Sequence, residues 1–116
     1  MRMWMVNPQF MCDKHLFGEH CEIHMFIGSI KKGIKMDGYL KNNLLEPMSL
    51  VLRHSILVKE IKERGYKHES EINDFDVKKF FTEDQLIVRI NQLNAYNELM
   101  CRCSFCLKKR YEYGRI

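Results

Sequence analysis

The stretch His15-Leu16-Phe17-Gly18-Glu19-His20-Cys21-Glu22-Ile23-His24-Met25-Phe26-Ile27-Gly28 gathers groups that could do chemistry. Wound at 3.6 residues per turn, it places His15, Glu19, Glu22 and Phe26 on one narrow face. Leu16, Ile23, Ile27, Ile30 and Ile34 fall on the adjoining face. Two carboxylates and an imidazole thus border an apolar stripe, and such groups can pass protons or steady a cation. The solvated flank of an ordinary amphipathic helix has the same pattern, and that reading stays open.

A second group lies near the other end, at Cys101-x-Cys103-x-x-Cys106. Zinc favours a two-residue spacing between cysteines, but a closed site takes four ligands. Three are local here, and the fourth would have to come from a distant Cys or His. There is no second Cys-x-x-Cys, so thiols packed between helices are the preferred reading.

The elements that position these groups read as all-α: one domain, 1–116, of three main helices with long connecting loops. Asn7-Pro8 is a candidate helix start, and Asp13 a candidate cap for the helix that follows. That helix runs to Lys32 and stops at Gly33, with Lys31 and Lys32 favourably placed at its negative end. Gly18 and Gly28 lie inside it, where glycine often admits a close neighbour or a ligand. Residues 35–46 read as a loop. Pro47 and Ser49 open a second helix with Leu50, His54, Leu57 and Ile61 inward, ending at Arg64-Gly65. His54 in that apolar row reads as a hydrogen-bonded core histidine. Residues 66–81 form an irregular acidic connection. Thr82-Glu83-Asp84-Gln85 is a capping box that starts a third helix, with Leu86, Ile90, Leu93 and Met100 on one face. The cysteine-rich tail extends that helix or begins another.

No apolar run approaches the roughly 20 residues that span a bilayer. Residues 1–6 are too short for a signal peptide before Asn7-Pro8. Five cysteines, an odd number without an export signal, read as reduced thiols in a cytoplasm. Charge is uneven: residues 1–45 carry six Lys/Arg against four acids, 46–100 eight against ten, and 101–116 five against one. If the two basic ends meet, they form a face suited to a polyanion; a solvated basic tail is the plainer alternative.

The chain resembles the phage-type pyrimidine-dimer DNA glycosylases with abasic-site lyase activity (the dimer-specific endonuclease V type). That family pairs a basic residue near its N-terminus with a helix of the form Asp-x-His-Leu-x-x-Glu-x-x-Glu. Here Arg2 is followed by Asp13-Lys14-His15-Leu16-Phe17-Gly18-Glu19-His20-Cys21-Glu22, and Gly28 also agrees. Lys59-Glu60-Ile61-Lys62-Glu63-Arg64-Gly65-Tyr66 matches a second family helix in the same order. Arg89 matches a basic position near the reactive centre, and Tyr113-Gly114-Arg115 is similar to an aromatic, basic tail that touches DNA.

The resemblance implies an all-α DNA repair enzyme that needs no metal or other cofactor. It acts as a monomer on double-stranded DNA with a damaged base or abasic site, in a host cytoplasm if virus-encoded. The nucleophile would be an N-terminal α-amine, a group whose intrinsic pKa of about 7.7–8.0 leaves much of it neutral near pH 7. The amine attacks C1′, forms a Schiff base, and β-elimination cuts the strand. Glu22 matches the catalytic glutamate, stabilising the cationic sugar and imine and moving protons. Arg2, His15, Arg89, Lys31, Lys32, Tyr113 and Arg115 would be DNA contacts, with Glu19 in a supporting role. Two departures matter. Arg2 follows Met1 where the family's phage enzyme exposes a Thr after Met removal, so the nucleophile here is the amine of Met1. Cys21 and Met25 stand where the family has basic residues flanking the glutamate, which bears on dimer recognition more than on abasic-site cleavage. Two rival functions remain: a non-catalytic DNA-binding protein of the same fold, and a zinc-stabilised interaction protein built on Cys101, Cys103 and Cys106.

Overall fold

A computed structural model describes residues 1–68 and 70–113. The architecture is all-α, and no strand occurs among the described residues. The first long helix, α1 (Asp13–Lys31), has Cys12, not Asp13, as its N-cap; Asp13 occupies its first turn, where a carboxylate suits the positive end of the helix. Lys32 caps its C-terminus, and Gly33 at φ 80° turns the chain away in a conformation that glycine takes without strain. Leu16, Ile23, Ile27 and Ile30 are buried as the apolar spacing requires, whereas Ile34, beyond the helix end, is exposed.

Part of the expected 35–46 loop is a short helix, α2 (Asp37–Lys41). After a 3-10 turn at Pro47–Ser49 comes α3 (Leu50–Glu63), which packs along α1 and ends before Gly65 at φ 89°. Leu50, Leu57 and Ile61 are the buried face of α3. Burying an aliphatic side chain of this size is worth about 1.5–3 kcal/mol, so these rows hold the two helices together.

One ion pair crosses this interface. Arg53 donates from Nε and Nη2 to the two carboxylate oxygens of Glu19 at 2.7 and 2.9 Å, and from Nη2 to the Val6 carbonyl at 2.7 Å. Both side chains are almost wholly buried. Such a pair offsets its desolvation only with full hydrogen bonding, which these three contacts supply.

The third expected helix is divided. Its capping box forms as read, with Thr82 and Gln85 bonded reciprocally, but α4 (Glu83–Leu86) ends after one turn. The break at 87–91 is held from outside. Asn43 donates to the Arg89 carbonyl at 2.8 Å and accepts from the Asn91 N–H at 2.6 Å. The buried carboxylate of Glu46 accepts the Ile90 N–H at 2.8 Å. Asn91 then caps α5 (Gln92–Arg102). Cys103, in extended conformation, separates α5 from α6 (Ser104–Tyr113). α6 packs on a 3-10 turn at Pro8–Phe10, where Arg110 lies 4.7 Å over the Phe10 ring.

The N-terminal segment runs through the interior. Met3 is fully buried and its N–H donates to the Leu44 carbonyl at 2.8 Å. Trp4, Val6 and Met11 join the same core.

Candidate active site

Fixing Met3 leaves Met1 and Arg2 beside the first two turns of α1. There Met1, Arg2, Trp4, His15, Gly18 and Glu22 line an open cleft of about 510 Å³, closed on the far side by Glu98 and Arg102 of α5. The two residues expected to carry catalysis thus share one concavity, and Arg2 and His15 share it with them. A side-chain carbon built at Gly18 would meet no atom within 4 Å, so this glycine leaves cleft volume open and is not required by packing.

The cleft wall is a layered charge cluster. Arg2 donates to Glu98 at 2.7 Å, and its guanidinium lies 3.6 Å over the Trp4 ring. Arg102 lies 5.7 Å from the same ring and also pairs with Glu98. Arginine over tryptophan is the strongest ordinary cation–π geometry. The Arg2 hydrogen bond holds the Glu98 carboxyl below its usual range, burial opposing it. Arg2 Nε is buried without a hydrogen-bond partner among the described residues. His15 meets Trp4 edge-on at 5.9 Å; burial, then Lys14 and Arg102, push its pKa down and favour the neutral ring.

The remaining expected contacts lie elsewhere. Arg89 donates to the carbonyls of Leu86 and Val88 at 2.8 and 3.0 Å and does not line the cleft. Lys31 donates to the Asn73 carbonyl at 2.9 Å, and Lys32 is exposed beside it. At 1.5 Å per residue both lie some 13–15 Å along the helix from Glu22. Tyr113, at the end of α6, packs edge-on against Phe10 at 5.0 Å and does not line the cleft. Arg115 lies outside the described residues. Cys21 and Met25, on the Glu22 side of α1, are exposed.

A scan of protein families matches residues 1–74 to the family described as pyrimidine dimer DNA glycosylase. The chain belongs to that family. No curated protein and no solved structure matches it. The matched segment ends before α4, so Met1, Arg2, His15 and Glu22 lie within it, while Glu98 and Arg102 line the cleft from outside the match. Membership makes DNA the substrate class. Among the described residues no helix is long and apolar enough to cross a membrane.

Two further groups of side chains were only partly foreseen. Cys103 and Cys106 do meet other ligand-type residues, but these are Cys12 and His15; Cys101 is exposed and takes no part. Burial raises the Cys106 thiol to about 12. Burial opposes ionisation of Cys103 too, but hydrogen bonds from Cys106 and Cys12 outweigh it and lower its pKa. His54 is buried and hydrogen-bonded as expected, but its partner is another ring: its Nε2 sits 3.1 Å from that of His24, and His20 Nε2 sits 3.0 Å from that of His68. Burial and the three neighbouring rings lower His20 to about 4. Burial also lowers His54. Sequence spacing held part of this signal, as Cys12-x-x-His15 and His20-x-x-x-His24, but not which distant residues complete each group.

Proposed function

We propose that the chain is a DNA glycosylase and abasic-site lyase acting through the α-amine of Met1. The observation that supports this reading is the shared cleft of Met1, Glu22, Arg2 and His15 in a member of a DNA glycosylase family. The neutral amine attacks C1′ of the damaged nucleotide. The glycosidic bond breaks with its electron pair on the base, which gains a proton as the attached amine gives one up; the C1′–O4′ bond then opens, its electron pair staying on O4′, which takes up a proton, and the iminium forms. Removal of a C2′ proton then expels the 3′ phosphate, and water releases the opened sugar. Glu22 carries the two needs that a carboxylate meets here: stabilising the cationic sugar and iminium, and moving protons.

Arg2 and Arg102 supply positive charge beside Trp4 for the phosphates flanking the lesion. Glu98 holds both guanidiniums in place. The openness at Gly18 suits an extruded sugar, since C1′ inside a stacked duplex is out of reach. Pyrimidine dimers and abasic sites are the proposed lesions, with the protein acting as a monomer in the cytoplasm.

Borohydride trapping on duplex DNA with one abasic site tests the mechanism. The tag-free protein should give a covalent adduct that disappears when the N-terminus is acetylated. A protein with a free amine confirmed by mass that neither traps nor cuts would overturn the lyase and leave a non-catalytic DNA-binding protein.

A further inference from the structure

We infer that Cys12, His15, Cys103 and Cys106 hold a structural zinc ion that clasps the start of α1 to the junction of α5 and α6. Each residue offers one ligand atom, and the four atoms lie within 4.8 Å of one another. They arrive as two pairs with two-residue spacing. Cys12 caps α1 and His15 lies in its first turn; Cys103 is the extended residue before α6 and Cys106 lies in its first turn.

The distances fit a tetrahedral ion. Zn–S near 2.3 Å and Zn–N near 2.0–2.1 Å at tetrahedral angles place two sulfurs about 3.8 Å apart and sulfur from nitrogen about 3.5–3.6 Å. Cys12 Sγ is 3.8 Å from Cys103 Sγ and 3.3 Å from His15 Nδ1, and Cys106 Sγ is 3.6 Å from the same Nδ1. Backbone N–H groups also point at the sulfurs. The Cys12 N–H donates to Cys106 Sγ at 3.3 Å, and the Cys106 N–H to Cys103 Sγ at 3.4 Å. Donors of this kind support a metal thiolate by taking up part of its charge. Thiols that merely fill space as small apolar groups have no reason to converge on one point with an imidazole. The ion would fix the His15 ring through Nδ1, leaving Nε2 as its polar atom for the cleft.

A separate observation carries a second site. The geometry points to His20, His24, His54 and His68 as an all-imidazole cage for a first-row divalent cation. α1 supplies two rings one turn apart, α3 the third, and the segment after α3 the fourth. One nitrogen of each lies within 4.8 Å of the others, in two Nε2–Nε2 pairs at 3.0 and 3.1 Å. Each Nε2 faces another Nε2, and His54 also hydrogen-bonds the Ser70 backbone, the kind of outer contact that orients a ligating ring. His68 Nδ1 has no hydrogen bond among the described residues and lies 3.7 Å from the Glu71 carboxylate, a partner that could orient a ligating ring. Imidazole donors suit zinc, iron, nickel and copper.

Elemental analysis and cobalt substitution of the full chain, purified without a metal-affinity tag, test both sites. Two metal ions per chain are expected after reconstitution. Co2+ at the first site should show thiolate-to-metal charge transfer and the intense visible bands of a tetrahedral ion. Cys103→Ser and Cys106→Ser should abolish the charge transfer, and Cys101→Ser should leave it intact. His24→Gln with His54→Gln should remove one ion and keep the thiolate bands. If a cysteine variant fails to fold, the spectrum of the unaltered chain decides. Absence of thiolate bands in the cobalt-loaded chain, or a Cys12–Cys103 disulfide found by mass, would overturn the first site. A total of one ion, unchanged by the histidine variants, would overturn the second and leave a hydrogen-bonded imidazole cluster.

Discussion

The two sides of α1 carry the same residue types and put them to opposite uses. Facing α3, Glu19 is sealed against Arg53, and His20 and His24 interlock with His54 and His68. Facing the cleft, Glu22 and His15 are half-buried beside open volume. Glu19 and Glu22 are three residues apart, less than one turn. The difference is one of saturation. Both oxygens of Glu19 accept from Arg53, so this carboxylate, though it borders the cleft, is committed to holding the fold. Glu22 keeps its capacity for a group that is not part of the protein.

Exchanging oxygen for nitrogen at Glu22 sharpens this contrast most. On the proposed chemistry, Glu22→Gln should slow abasic-site cleavage by about 10²–10⁴-fold, the usual range for a lost general acid–base. Its thermal stability should stay within about 0.5 kcal/mol, as for surface changes generally. Single-turnover cleavage and thermal melts on one preparation check both; a variant that cuts normally breaks the comparison from the catalytic side.

The next effect is on the other face. Arg53→Met strands the Glu19 carboxylate in the core and should cost about 3–5 kcal/mol, read from urea unfolding. Replacing both partners with apolar residues should recover much of that loss. A stable single variant would mean that Glu19 is not sealed.

A smaller change concerns acid. Arg2 holds Glu98 below the ordinary carboxylate range. The folded pKa is lowered, so the pair's contribution is present above the unfolded value of about 4.3 and is lost as pH falls through the folded value. The Glu98 side of the pair is partly solvent-exposed, so the effect is modest. The melting temperature of Glu98→Gln should trail that of the unaltered chain at pH 7 and converge with it as the pH falls through the lowered folded value.

The least expected change is a gain. Gly18→Ala fills empty space in a helix interior and should add about 0.5–1 kcal/mol. Cleavage should weaken at the same time if the sugar uses that space, visible as reduced kcat/KM with raised Tm.

The long helices were legible because their signals are local. α1 and α3 follow from apolar spacing, and glycines at positive φ stop both. The division of the third helix was not legible, because its cause is remote: Asn43 and Glu46 bind the backbone at Arg89, Ile90 and Asn91 from more than 40 residues away. The cleft was legible only through resemblance, since nothing in a linear pattern says that Met1 reaches α1; a buried Met3 and its bond to Leu44 arrange that. The cysteine group was half legible. Cys103 and Cys106 announced themselves, while His15 read as a group of the catalytic face, Cys12 drew no attention, and Cys101 looked like a member.

The bond from the Cys12 N–H to Cys106 Sγ spans 94 positions. A ribosome adding about 5–20 residues per second needs roughly 5–19 s to travel from one to the other. Throughout that interval the first turn of α1 lacks its neighbour, and the 3-10 turn at Pro8–Phe10 lacks the helix that covers it. The wall of the cleft built from Glu98 and Arg102 emerges only in the last moments of the same interval. On the proposed chemistry, a nascent chain therefore exposes its amine long before the cleft is complete, and a product truncated ahead of α5 holds Met1 and Glu22 without the far wall of that cleft.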